Sequence, residues 1–153
     1  MRLSGIIRAT MNHPPRIVVD TNVLVAALRS RQGASFRLLS QLRTRRFEVC
    51  VTVPLVMEYA DVLGRPGMVP LSAGQVDAVL DMLCREARQQ AVHYLWRPQL
   101  RDPKDEMVLE AAVNARADFL VTHNGRDFAS ARFRGLAVVT PAAFLEHLEK
   151  ELR

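Results

Sequence analysis

The sequence has 153 residues, of which 49% are hydrophobic and 24% charged; this is the size and composition of one soluble globular domain, so fibrous and disordered classes are excluded. No run of about 18 apolar residues exists to span a membrane, and Cys50 and Cys84 lack metal-ligand spacing, which favours a reduced, cytoplasmic protein. The net charge of +5 comes almost wholly from arginine, which suits phosphate and favours a nucleic-acid partner, although an arginine-rich genome is an equal explanation.

The chain alternates between strand patterns and helix patterns. Short apolar runs such as RIVVD and FEVCV are typical of buried parallel strands, and Thr52, Ser72 and Asp102 are helix N-cap residues. In chain order we predict a strand over 16–20, helices over 21–29 and 33–45, a strand over 47–51, helices over 52–63 and 72–87, a strand over 92–95, a helix over 102–115, strands over 118–122 and 136–139, and a last helix from Thr140.

Strands separated by helices predict an α/β protein. We expect three layers, with a mostly parallel central sheet of about five strands flanked by helices. Residues 1–15 contain two arginines and only a short apolar patch, so we expect a frayed leader followed by one domain over 16–153.

Acidic side chains at strand ends and helix starts would meet at one edge of such a sheet, outside the carboxyl ends of its strands. Asp20 closes the first strand. Its structural alternative, an N-cap for the helix that begins at Thr21, has equal weight from the sequence alone.

Glu58 and Asp105 lie on predicted helices. Glu58 falls at the border of the apolar arc of its helix, where a carboxylate has a free-energy cost unless it is compensated, for example by an arginine. Asp105 projects onto the apolar arc of the 102–115 helix, whereas Glu106 and Glu110 project away from it. Capping of this helix suits Asp102 better than Asp105.

Asn124 and Asp127 follow the fourth strand in the segment THNGRDF, where they could also be simple turn formers. Together, Asp20, Glu58, Asp105 and Asp127 would repel one another at one sheet edge unless a cation lay among them. Oxygen ligands favour Mg²⁺ or Mn²⁺ and not zinc. The histidines, which we interpret as surface or core residues without ligand spacing, are His13, His93, His123 and His147.

The strings IVVDTNVLVAAL, TVPLVMEYADVL and DPKDEMVLEAAVNARADFLVTHNGRDF resemble the PIN-domain family. The likeness runs from Arg16 to about Thr140, and it is greatest to VapC-type toxins of toxin–antitoxin pairs. The resemblance implies an endoribonuclease that uses Mg²⁺ or Mn²⁺, leaves 5′-phosphate and 3′-hydroxyl ends, often forms a homodimer and is silenced by an antitoxin.

The resemblance also implies roles for individual residues. Asp20, Glu58 and Asp105 correspond to the first three acids of the family motif. Many members have aspartate where this chain has Asn124, so Asn124 or Asp127 must complete the acidic site. The polar residues expected to support the acids are Thr21, Asn22, Asp102, Thr122 and Asn124.

We expect metal held by the acids to activate a water molecule for attack on phosphorus. Candidates for binding the RNA backbone are Arg29, Arg31, Arg43, Arg45 and Arg46. Two alternatives remain open. One is a phosphatase with Asp20 as nucleophile, which generally needs a second aspartate where this chain has Asn22. The other is a PIN-like RNA-binding or partner-binding module without catalysis, which the asparagine at position 124 favours.

Overall fold

The computed structural model describes residues 13–93, 98–130, 133 and 135–151. The strands are β1 (Arg16–Val19), β2 (Glu48–Val51), β3 (Arg88–Gln89), β4 (Phe119–Val121) and β5 (Ala137–Val139), and the α-helices are α1 (Thr21–Arg29), α2 (Ala34–Ser40), α3 (Val53–Leu63), α4 (Ala73–Glu86), α5 (Pro103–Asn114) and α6 (Pro141–Glu151). Two short 3₁₀ helices cover Leu42–Thr44 and Gly125–Phe128. The predicted leader over 1–15 falls largely outside the described residues.

The five strands form one sheet in the order β3-β2-β1-β4-β5, and each neighbouring pair is parallel. The three apolar residues of β1, Ile17, Val18 and Val19, are all buried. Because successive side chains of a strand point to opposite faces, helices must cover both faces of the sheet centre. The predicted three-layer α/β architecture is confirmed, with a sheet that is fully parallel.

The sequence signals for helix starts correspond to formed caps. Thr52 accepts a hydrogen bond from the Leu55 backbone N–H at the start of α3. Ser72 and Gln75 form a reciprocal capping box at the start of α4. Such caps satisfy backbone N–H groups that have no partner within the helix.

Two predicted elements differ from those observed. The helix expected over 33–45 ends at Ser40, and a 3₁₀ turn follows it up to Arg45, whose φ of 60° is left-handed. The third strand is at Arg88–Gln89, not at 92–95: Val92 and His93 have no strand structure, and residues 94 and 95 lie outside the described residues. An exposed edge strand needs no apolar pattern, because pairing with β2 alone defines it.

Because all the strands are parallel, their carboxyl ends lie along one side of the sheet and their amino ends lie along the opposite side. Asp20, Thr52, Thr122 and Thr140 directly follow the ends of β1, β2, β4 and β5. These positions define what we name the carboxyl edge. Within the part of the chain that the structure describes, no helix has the length and apolarity needed to cross a bilayer.

Glu106 contradicts the prediction that it projects away from the core. It is buried, and its carboxylate accepts hydrogen bonds from the backbone N–H groups of Gln99 and Leu100. The loop before α5 therefore folds back over this side of the helix, which no periodicity within the helix could reveal. Glu106 fixes the loop that leads into the helix of Asp105.

We expect Glu106→Gln to lower the free energy of unfolding by about 1–3 kcal/mol, because a neutral amide is a weaker acceptor and its NH₂ group would be buried. Urea unfolding followed by circular dichroism measures the change. The exposed Glu149→Gln on α6 is the control and should have wild-type stability. Equal stability of the two variants would mean that the Glu106 carboxylate does not secure the loop.

Candidate functional site

Asp20 lies at the carboxyl edge, where β1 passes into α1. Its side chain is 7% exposed and forms no hydrogen bond that caps α1. Instead the buried Thr122 hydroxyl, at the end of neighbouring β4, donates to Asp20 Oδ2 over 2.7 Å. The Thr122 contact thus positions the carboxylate by tertiary structure, and Asp20 also occupies the N-cap position of α1.

Burial raises the pKa of Asp20 above its ordinary value, and the charge of Asp127 adds to this effect. The Thr122 hydrogen bond and the nearby backbone N–H groups of Thr21 and Asn22 lower the pKa, but by less than burial and Asp127 together raise it. The ionised form of Asp20 is therefore only partly compensated by the protein, which is the condition in which a cation would be stabilising.

Thr122 is also the centre of a polar network. Its hydroxyl oxygen accepts hydrogen bonds from Asn22 Nδ2 at 3.4 Å and from the Asn124 backbone N–H at 3.0 Å. Asn22 Oδ1 in turn accepts from the His123 backbone N–H at 3.3 Å. These contacts join the start of α1 to the segment after β4, so that Asn22, Thr122 and Asn124 lie around Asp20.

Asp105 lies in the first turn of α5 and Asp127 in the 3₁₀ helix after β4. Burial and four carboxylates raise the pKa of Asp105 to about 6; the strongest of the carboxylate effects come from Asp20 and Asp127, followed by Asp102 and Glu106. Asp20 follows β1, Asp105 lies in the first turn of α5 and Asp127 lies after β4, and the charges of Asp20 and Asp127 both act on Asp105. Asp102 caps α5 by accepting from the Lys104 backbone N–H at 2.9 Å, as expected.

Glu58 is half-buried on α3, as its place on the helical wheel predicted. Among the described residues it is not one of the main charges acting on Asp20 or Asp105. Its neighbour Tyr59 is fully buried, and the Tyr59 hydroxyl donates to the carbonyl oxygen of Val19. Tyr59 thereby ties the helix of Glu58 to the residue that precedes Asp20.

The donor chemistry of this cluster fits a hard divalent cation, since Asp20, Asp105 and Asp127 offer only carboxylate oxygens. Within residues 13–93, 98–130, 133 and 135–151, no three Asp, Glu, His or Cys side chains are already close enough to hold an ion. The cluster therefore fits a cation in ligand type and in uncompensated charge, and the side chains must approach one another to bind it.

The five arginines that we predicted to contact RNA lie away from Asp20 and the carboxyl edge. Those before β2, Arg43, Arg45 and Arg46, are at the opposite edge of the sheet, and a four-residue strand spans about 13 Å. Arg43 and Arg45 pair with Glu86, and Arg46 donates to Gln41.

Arg29 and Arg31 are at the far end of α1 from Asp20, and Arg29 Nε donates to the Met68 carbonyl oxygen at 2.7 Å. Cationic residues that the sequence reasoning did not single out are closer along the chain to the acids: Arg101, Lys104 and Arg126, all exposed. The sequence feature that could have identified these cationic residues is that each of them adjoins one of the acids Asp102, Asp105 and Asp127.

The comparisons with known proteins agree with this architecture. A family model described as PIN domain matches residues 16–126. Nothing matches among curated proteins. A chain in the crystal structure of VapBC2 from Rickettsia felis, which was solved bound to a DNA fragment from the VapBC2 promoter, is similar to this chain in structure. The TM-score is 0.55 and the sequence identity 16%, and the match covers 80% of this chain and 96% of that chain. Since the model match spans most of the sequence, the chain belongs to the PIN-domain family.

Proposed function

We propose that the protein is a metal-dependent endoribonuclease that hydrolyses RNA phosphodiester bonds. One observation carries the proposal: Asp20, Asp105 and Asp127 come from three different elements, and their charges together with burial raise the pKa of Asp20 and Asp105. Clustering of charges that destabilise one another is characteristic of catalytic sites, and membership of the PIN-domain family supports a nuclease.

Asp20, Glu58, Asp105 and Asp127 would hold the cation, with Glu58 brought in from α3. When bound, Mg²⁺ or Mn²⁺ would activate water and offset charge on the phosphate oxygens. The chain's own contribution is positioning. Thr122 fixes the Asp20 carboxylate through its hydroxyl, and Asp102 caps the helix that presents Asp105.

We further propose that the protein is the toxin of a toxin–antitoxin pair, acts in the cytoplasm, and forms a homodimer whose subunit folds as one domain over 16–153. The sequence resemblance to VapC-type toxins supports this proposal, and so does the likeness of fold to VapBC2. Induced expression should stop growth of host cells, and expression of Asp20→Asn should not. Co-expression of a short neighbouring reading frame that encodes the antitoxin should restore growth.

The catalytic proposal predicts that the purified protein cleaves RNA in Mg²⁺ or Mn²⁺ and that cleavage stops in EDTA, because the carboxylates contribute to hydrolysis by holding the cation. End-labelled RNA on denaturing gels measures cleavage, and phosphatase sensitivity of the products identifies 5′-phosphate ends. Restored cleavage after Mn²⁺ is added back to the chelated sample is the control. Equal cleavage in EDTA would reject the metal assignment.

A PIN-like binding module without catalysis is the second candidate. Asn124 and the absence of a ready-made three-ligand group among the described residues favour it. RNA binding without turnover at any Mg²⁺ or Mn²⁺ concentration would establish this alternative. The phosphatase alternative has less support, because Asn22 replaces its second aspartate and is engaged with Thr122.

A further inference from the structure

His123 directly follows Thr122 at the carboxyl edge, and its side chain has no part in the site described so far. Its side chain is exposed, yet the ring is anchored: Nε2 lies 2.8 Å from the hydroxyl oxygen of Ser35 on α2. Ser35 is 3% exposed. The His123 backbone N–H is bound as well, by Asn22 Oδ1. Holding an exposed ring in one orientation has an entropic cost that a solvated surface histidine need not bear.

The Ser35 contact uses one of the two ring nitrogens, Nε2. Within the part of the chain that the structure describes, His123 is the hydrogen-bond partner of the Ser35 side chain. In the neutral tautomer in which Nε2 accepts from the Ser35 hydroxyl, Nδ1 carries the hydrogen. In the charged ring both nitrogens are donors. Nδ1–H is therefore a donor in either state, and no residue in the described ranges accepts from it.

We propose that His123 Nδ1–H binds a phosphate oxygen of the RNA strand and that Ser35 is the positioning residue that orients the ring. This inference rests on the proposed function, and it deepens that function by naming a backbone contact beside the acidic cluster. The position favours a phosphate, because His123 adjoins Thr122, whose hydroxyl holds Asp20. A contact to phosphate is independent of base sequence.

The two ring nitrogens can be tested separately. The amide nitrogen of asparagine lies near the position of Nδ1, and that of glutamine lies near Nε2. We expect His123→Ala and His123→Gln to weaken binding of fluorescein-labelled single-stranded RNA about tenfold, as for loss of one hydrogen bond, and His123→Asn to retain most of the affinity. Anisotropy in EDTA measures the dissociation constant without cleavage. Ser35→Ala should give an intermediate loss.

Several outcomes would overturn the proposal. If His123→Gln binds RNA like the wild type and His123→Asn does not, the histidine only joins α2 to β4. If His123→Ala is misfolded by circular dichroism, the comparison of the Asn and Gln variants still decides. A loss confined to U-rich or to A-rich RNA would indicate a base contact and reject the phosphate. If wild-type protein binds and cleaves RNA and all variants match it, this inference alone fails; if wild-type protein does neither, the proposed function fails with it.

Discussion

Asp20→Asn and Asp105→Asn should each reduce RNA cleavage by on the order of 100-fold or more, because each removes a carboxylate proposed to hold the cation, and such charge stabilisation contributes several kcal/mol. Initial rates on end-labelled RNA in Mg²⁺ measure the effect. Asp77→Asn is the matched control, because Asp77 is an exposed residue of α4. This variant should cleave RNA like the wild type.

Asp105→Asn should not be less stable than the wild type. The pKa of Asp105 is about 6 in the folded protein, against an ordinary value of 3.8. Between these values the folded state binds more protons than the unfolded state, so this group lowers stability as pH rises, and its full cost is present above pH 6. In EDTA at pH 7.5, Asp105→Asn should therefore gain roughly 1 kcal/mol, since solvent screens part of the repulsion.

Urea unfolding at pH 7.5 and at pH 5 tests this expectation, because the advantage of Asp105→Asn should shrink at the lower pH. The charges that face Asp105 are Asp20, Asp127, Asp102 and Glu106. If Asp105→Asn lost stability and kept cleavage, Asp105 would serve the helix start and not the reaction.

Asp127→Asn is expected to weaken metal binding and cleavage severely, by about 100-fold in rate. Asn124 can offer only a neutral amide oxygen, so the fourth negative charge for a cation must come from Asp127. The charge of Asp127 acts on both Asp20 and Asp105. Its removal should therefore also lower the pKa of Asp105, which carboxyl NMR titration in EDTA measures.

The Asn124 variants separate the two candidates for the fourth position. Asn124→Ala should have a smaller effect than Asp127→Asn, and Asn124→Asp should keep or raise activity, because it adds a carboxylate beside Thr122. Calorimetric titration with Mn²⁺ compares their affinities. Wild-type binding and cleavage by Asp127→Asn would make Asp127 a turn residue and leave a site of three acids.

Local sequence signals were sufficient for most of the fold. Apolar runs, N-cap residues and first-turn prolines act over a few residues, so they predicted four of the strands and the helix starts at Thr52, Ser72 and Asp102. β3 was missed because its two residues are polar and exposed. A strand that is defined only by its neighbour leaves no pattern in its own sequence.

The α/β class, the family resemblance and the proposal of Asp20 and Asp105 as site acids follow from the sequence alone, because strand ends and helix starts place side chains in a way that chain order predicts. The contacts around these acids follow from the tertiary structure. Thr122 meets Asp20 across 102 residues of sequence and His123 meets Ser35 across 88, and Glu106 is buried by a returning loop. Hydrogen bonds and burial of this kind depend on which strands pair and which loop covers a helix, and helical or strand periodicity contains no information about either.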